Sequence, residues 1–183
     1  MILDGPRLRL RPWHDADAPT FATMNADPGV MRHFAAPLTR EESDRFLAAL
    51  MAHEAEHGFC FWAMERHAEP GAIGLCGLMR VPWGARFTPA VEIGWRVARA
   101  HWRQGFAEEA ARLALAAGFG PLRLEEIVSF TVPANEPSWR LMAKLGMAPD
   151  GDFGHPRLAP EHPLHRHLLY RLGRAEWVRQ RLG

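Results

Sequence analysis

The residues from Glu92 to Ala110 are ordered as a phosphate holder would be. Glu92-Ile93-Gly94-Trp95-Arg96-Val97 reads as a strand, and after Ala98 to His101 comes Trp102-Arg103-Gln104-Gly105-Phe106-Ala107-Glu108-Glu109-Ala110, a glycine turn that opens a helix. The first backbone N–H groups of a helix have no partner inside it and lie at the positive end of its dipole. A phosphate placed there gains several hydrogen bonds and about 1 kcal/mol of field stabilisation. Gly105 and Ala107 are small, so the amides of Arg103, Gln104, Gly105, Phe106 and Ala107 could curl around a pyrophosphate. Taken alone, a W-x-x-G-x-A string fits an ordinary tight turn before a packed helix equally well. There is no G-x-x-x-x-G-K-[ST], which argues against a P-loop ATPase or kinase, and no G-x-G-x-x-G after the first strand, which argues against a dinucleotide dehydrogenase.

Other chemistry-bearing residues are less ordered. His155, His162, His165 and His167 crowd the last third between prolines, without the spacing that a zinc site needs, so no metal is expected. His165-Arg166-His167 fits either a polar or anionic substrate or a strand with alternate residues in solvent. Cys60 and Cys76 have no C-x-x-C spacing and are too few for a disulfide scaffold, which suits a reducing cytoplasm. Of the seven tryptophans, Trp62 and Trp83 are candidates for acceptor contact and the rest for packing.

These residues need a scaffold, and the pattern supplies one. Leu8 to Trp13 alternates as a half-buried strand, and Asp15 to Asn25 reads as a short helix. Thr39-Arg40-Glu41-Glu42 has capping-box form and starts a helix running to about His57. Phe59 to Met64 and Gly71 to Met79 form a hairpin split at Glu69-Pro70-Gly71, and Ala90 to Val97 makes a fourth strand. Gly105 to Gly118 is a helix with Ala110, Ala114 and Ala117 a turn apart, suited to close packing on a sheet. Ile127 to Val132 returns as a strand, Pro137 to Leu145 is a helix stopped by Gly146, and His165 to Leu172 alternates before an amphipathic end at Ala175 to Leu182. Strands first, then helices between strands, argue for an α/β or α+β layer: one mixed sheet with helices on both faces.

Composition bounds the rest. At 183 residues the chain is expected to be a single domain, 1–183. With 48% hydrophobic residues, 23% charged and a formal net charge of +1, it is neither a disordered chain nor a general nucleic-acid binder. The basic residues are almost all arginine, which suits phosphate recognition but also follows from a GC-rich genome. No run approaches the ~18 apolar residues that cross a bilayer, and the N-terminus lacks a targeting pattern, so a cytoplasmic protein without membrane attachment is expected.

Residues 102–107 resemble the acetyl-CoA signature of the GNAT superfamily of N-acetyltransferases, [QR]-x-x-G-x-[GA] after a fourth strand. Trp102 departs from it, as is common in the branch that resembles ribosomal-protein N-terminal (alanine) acetyltransferases. Asn135-Glu136-Pro137-Ser138, followed by Lys144-Leu145-Gly146-Met147, is similar to that branch's N-x-x-S…K-x-G-[FM] helix. Leu8-Arg9-Leu10-Arg11-Pro12 and Glu92-Ile93-Gly94-Trp95 also match, so the resemblance spans residues 7 to about 172. It implies a GNAT-like acyl-CoA N-acyltransferase fold, with the mixed sheet splayed between its fourth and fifth strands (90–97 and 127–132). It also implies acetyl-CoA as co-substrate and an amine acceptor, either a peptide N-terminus or a small molecule, in a monomer or homodimer.

By the same resemblance, the backbone of Trp95 and Val97 would pair with the pantetheine arm as an added strand does. Arg103, Gln104, Gly105, Phe106 and Ala107 would hold the pyrophosphate, and Asn135 would bond near the pantetheine. Glu92 matches the strand-four glutamate that acts as general base in several members. A solvated or arginine-paired carboxylate is the alternative at that position. Ser138 matches the proton donor to the leaving thiolate, with a helix-capping hydroxyl as its alternative. The Trp95 amide would meet the oxyanion. A non-catalytic acyl-CoA-binding regulator and an antibiotic-modifying acetyltransferase with an acidic acceptor cleft are the rival functions.

Overall fold

The computed structural model describes residues 1–182; the last residue of the expected domain, Gly183, lies outside the described residues. Eight strands form one mixed sheet in the order β1-β2-β3-β4-β5-β6-β8-β7, and five α-helices accompany them. The chain folds as two compact units, Met1–Met79 with Gly94–Ala114, and Arg80–Ile93 with the residues from Leu115 onward.

The first unit begins with β1 (Leu3–Asp4) and β2 (Leu8–Arg11), a 3-10 turn at Asp15–Asp17, α1 (Ala18–Ala26) and α2 (Arg40–His57). Thr39 caps α2 as its sequence predicts: its hydroxyl accepts the Glu42 amide at 3.2 Å and Glu42 Oε2 accepts the Thr39 amide at 2.8 Å. Gly58, at φ 79°, closes the helix in the left-handed conformation. β3 (Phe61–Arg66) and β4 (Glu69–Arg80) make the expected hairpin, but Glu69-Pro70-Gly71 belongs to β4, and the turn is His67-Ala68. Leu8 pairs with Arg66 and Trp62 with Cys76 in antiparallel register. Leu8, Leu10, Phe21, Leu50, Trp62, Met64 and Leu78 are fully buried. Trp62 is therefore a core residue and not an acceptor contact; its Nε1 donates to Glu54 Oε1 at 3.0 Å.

β5 (Val91–Val97) passes from the second unit into the first, which it continues through a 3-10 turn (Arg99–His101) and the start of α3 (Phe106–Phe119). In the second unit β6 (Glu126–Thr131) runs parallel to β5, with Glu92 beside Val128 as the register pair. α4 (Glu136–Lys144) follows, ended by Gly146 at φ 82°. β7 (Ala148–Gly154) and β8 (Arg166–Gly173) are antiparallel, and β8 also pairs with β6, Ser129 opposite Tyr170, before α5 (Arg174–Leu182). β1 and β7 are not predicted from sequence. β7 is Ala-Pro-Asp-Gly-Asp-Phe-Gly, mostly exposed and without alternation, and it is extended because β8 pairs with it.

Candidate functional site

In the first unit the turn before α3 leaves a row of free donors. Arg103 (φ 59°) and Gly105 (φ 80°) both take the left-handed conformation, which glycine adopts without strain and arginine rarely does. None of the amides of Arg103, Gln104, Gly105, Phe106 or Ala107 has a hydrogen-bond acceptor among the described residues. The turn itself is braced. Arg7 Nη1 donates to the Gln104 carbonyl at 2.8 Å, Arg7 Nε donates to Glu109 Oε2 at 2.7 Å, and Gln104 Nε2 donates to the Ala100 carbonyl at 3.1 Å. Glu108 and Glu109 would repel an anion at this helix start, but each faces an arginine, Glu108 at 3.0 Å from Arg112 and Glu109 held by Arg7. Phe106 anchors the first turn inward at 4% exposure, with the Arg7 guanidinium over its ring. Five open amides at a helix N-terminus fit a pyrophosphate.

The end of β5 offers a second set of backbone groups. The Ala98 amide donates to the Ile73 carbonyl at 2.9 Å, which fixes that side of β5 against β4. Backbone groups of successive strand residues point to opposite edges, so those of Trp95 and Val97 point away from β4. Trp102, in place of the signature's Gln or Arg, donates its Nε1 to the Val97 carbonyl at 2.7 Å, leaving the Val97 amide and one carbonyl lone pair.

The second unit holds Glu92, Asn135 and Ser138. The Ile93 carbonyl accepts the hydroxyl of Ser129 at 2.9 Å, a side chain standing where a ladder amide would. Glu92, aligned with Val128, shares that residue's face of the sheet. Phe87, Val128 and Leu169 are buried on this face, with Trp83, Phe130 and Phe153 packed against them. Glu92 is half-buried and makes no hydrogen bond or ion pair among the described residues, so it is not the arginine-paired carboxylate of the alternative reading. Burial pushes its carboxyl up to about 8, against the opposing field of Arg157.

The histidines join this face. The His155 ring lies 4.9 Å from Trp83 and 5.0 Å from His167, and the His167 ring lies 5.7 Å from Phe153. His167 is thus packed among rings instead of alternating into solvent; burial, partly offset by its hydrogen bond to His165, pulls its pKa down to about 4. His155 is lowered too, first by burial and then by Arg157. Among the described residues no group of three or more His, Cys, Asp or Glu could hold a metal.

Asn135 precedes α4 and donates its Nδ2 to Thr131 Oγ1 at 2.9 Å, which leaves its side-chain oxygen free. Its main-chain oxygen accepts the Ser138 amide at 3.1 Å, whereas the Ser138 hydroxyl makes no hydrogen bond among the described residues and does not cap the helix. Arg7, Arg96 and Arg157 belong to these surroundings and are not singled out by sequence. Their signal is the lack or choice of a partner, which tertiary contacts alone display.

Residues 7–148 match the family model "Acetyltransferase (GNAT) domain". The uncharacterized protein YkkB of Bacillus subtilis is 31% identical over 142 residues, covering 77% of this chain and 81% of that protein. A crystal structure of an acetyltransferase from Agrobacterium tumefaciens superposes with a TM-score of 0.77 at 26% identity, covering 94% of each chain. A ribosomal-protein alanine acetyltransferase from Vibrio fischeri shares the fold with a TM-score of 0.73 at 20% identity, covering 97% of this chain and 98% of its own. With the sheet, the open amides before α3 and the matched span in agreement, the chain belongs to the GNAT family of acetyl-CoA-dependent N-acetyltransferases.

Proposed function

We propose that this acetyltransferase acts on a primary amine by direct attack in a ternary complex, with Glu92 as general base. The observation that carries this reading is the state of Glu92. A carboxyl without a hydrogen-bond or ion-pair partner among the described residues, pushed up to about 8, is matched to taking a proton from an ammonium near neutral pH. The amides of Arg103, Gln104, Gly105, Phe106 and Ala107 hold the pyrophosphate. The Trp95 and Val97 backbone holds the pantetheine arm, joined by the free side-chain oxygen of Asn135.

Glu92 takes one proton from the acceptor ammonium. The neutral nitrogen attacks the thioester carbon, a C–N bond forms, and the oxyanion is met by the Trp95 amide. As the C–S bond breaks, Ser138, whose hydroxyl is free of other bonds, gives its proton to the departing sulfur and takes the second proton of the nitrogen in return, and Glu92 then releases its proton to solvent. The products are an acetamide and CoA, with one proton released overall.

The test is CoA thiol release against a panel of peptides, amino acids and aminoglycosides, with the wild type, Glu92→Gln and Ser138→Ala. Turnover of an amine that Glu92→Gln slows about 100-fold or more without loss of acetyl-CoA affinity is the expected outcome. Tight CoA binding with no amine acetylated overturns the catalytic reading in favour of a regulator.

A further inference from the structure

Two arginines of the first unit are largely withdrawn from solvent, and their surroundings differ. Arg11, 9% exposed, donates two hydrogen bonds of 2.8 Å to Asp17 and one of 2.8 Å to Glu65. The Asp17 hydrogen bond, then that of Glu65, hold its pKa above the ordinary value despite burial. Arg96 has no carboxylate partner among the described residues. Its Nη1 donates to Asn25 Oδ1, and its guanidinium carbon lies 4.3 Å from the Phe34 ring centre and 5.8 Å from that of Phe46. Nε is buried without a hydrogen-bond partner, and Nη2 has none among the described residues.

That pattern leaves one particular edge open. A guanidinium presents Nε–H and the adjacent Nη2–H as two parallel donors, a spacing that matches the two oxygens of a carboxylate. In Arg96 the Nη1 end is taken and the Nε/Nη2 edge is unused. The anchor at the taken end is rigid: Asn25 and Ser43 are both fully buried, and Asn25 Nδ2 donates to Ser43 Oγ at 2.9 Å. A buried N–H without an acceptor, as at Arg96 Nε, lowers stability unless something completes it. Burial alone brings the pKa of Arg96 down to about 10, which leaves it charged at neutral pH. Phe34, over the guanidinium, is 43% exposed, so the group lies close beneath the surface.

We propose that Arg96 recognises the acceptor, its open Nε/Nη2 edge taking the carboxylate of a small amino-carboxylate whose amine receives the acetyl group. This rests on the transfer reaction proposed above and narrows its substrate class. Arg96 lies on β5 between Trp95 and Val97, the residues assigned to the pantetheine arm, so the anion is anchored on the strand that aligns the thioester. A polycationic acceptor gains nothing from such a residue and is repelled by it.

The test compares acceptors that differ in the carboxylate: an α-amino acid, its amide and the decarboxylated amine. CoA thiol release is followed in the wild type, Arg96→Met and Arg96→Lys. The wild type prefers the carboxylate acceptor. Arg96→Met raises the KM for that acceptor about 100-fold, with kcat and the neutral acceptors changed by less than about threefold, and Arg96→Lys recovers part of the loss. A wild type indifferent to the carboxylate, or an equal loss on all three acceptors, overturns the proposal.

Calorimetric binding of the same amino acids to the CoA-saturated protein separates the two readings. Arg96-dependent binding without acetylation keeps the carboxylate site and rejects the transfer reading. Acetylation without Arg96-dependent binding keeps transfer and rejects the site, and the absence of both rejects the site as well. Acetyl-CoA affinity reports whether each variant is folded; should Arg96→Met fail that check, Arg96→Lys, which keeps the charge but not the fork, carries the comparison.

Discussion

The indole Nε1 of Trp102 donates to the Val97 carbonyl oxygen at 2.7 Å, tying the turn before α3 back to the end of β5. Trp102→Phe removes one neutral hydrogen bond, worth about 1 kcal/mol. It is expected to lower stability in urea by about that amount and to weaken acetyl-CoA binding about fivefold. Trp102→Arg restores both a donor and the family signature, and its acetyl-CoA affinity should stay within about threefold of the wild type.

Gly105 sits at φ 80°, and a Cβ there would lie 3.3 Å from Arg7 Nη2. Gly105→Val forces a branched residue into the left-handed region, at about 1–2 kcal/mol, and puts a side chain beside the free amides. CoA affinity measured by calorimetry should fall more than about tenfold. Gly58→Ala is the control: φ is 79° and nothing lies near its Cβ, so thermal stability falls while CoA affinity is unchanged.

Glu92 must be ionised to accept a proton, so kcat/KM should rise with pH and level off above about 8. Stability runs the other way. A carboxyl whose folded pKa is raised favours the folded state below its ordinary value near 4.5, and that contribution is lost as pH climbs toward about 8. Glu92→Gln should therefore lose activity at every pH yet melt at a higher temperature than the wild type at pH 8–9, with little difference at pH 5. A wild-type rate independent of pH from 6 to 9 would remove Glu92 from the chemistry.

Ser138→Ala leaves the backbone of α4 intact, because it is the Ser138 amide, not its hydroxyl, that bonds to Asn135. A thiolate leaves readily, so kcat should fall about tenfold, below the usual contribution of proton transfer, with acetyl-CoA affinity and melting temperature unchanged. A large drop in melting temperature would mark Ser138 as structural.

Asp17, 6% exposed, accepts both Nη atoms of Arg11 and the His14 amide at 3.0 Å. Burial by itself would raise its pKa, but the Arg11 hydrogen bond and the His14 amide together hold it below the ordinary carboxylate value. Its contribution is present above pH 4 and is lost as pH falls through the lowered value. Asp17→Asn leaves Arg11 with Glu65 alone and should cost about 3 kcal/mol in urea at pH 7, with the gap to wild type closing in acid.

The segment proposed to hold the cofactor was legible as structure because its elements are local. A strand, a glycine turn and a helix start are contiguous, and the left-handed backbone at Gly105 is a property of one residue type. The capping box at Thr39 and Glu42 was legible for the same reason. The placement of Ser138 near the start of a helix could be read, but whether its hydroxyl caps the backbone or stays free could not, since either geometry suits the same sequence.

The aromatic face that holds His167 was not legible in this way. His167 fits a solvated alternating strand by sequence, and it is packed among rings because β7, itself unpredicted, pairs with β8 and brings Phe153 and His155 beside it. Trp62 is indistinguishable from Trp83 as a rim aromatic until burial separates them.

The sequence by itself determined most of the elements in their order, the glycine turn before α3 and the family, because these depend on neighbours in the chain and on backbone rules. Only the tertiary structure decided which charges are paired. Arg11 and Arg96 look alike in sequence, yet one meets two carboxylates and the other an amide and two rings, because partners 6 to 71 residues away are chosen by packing.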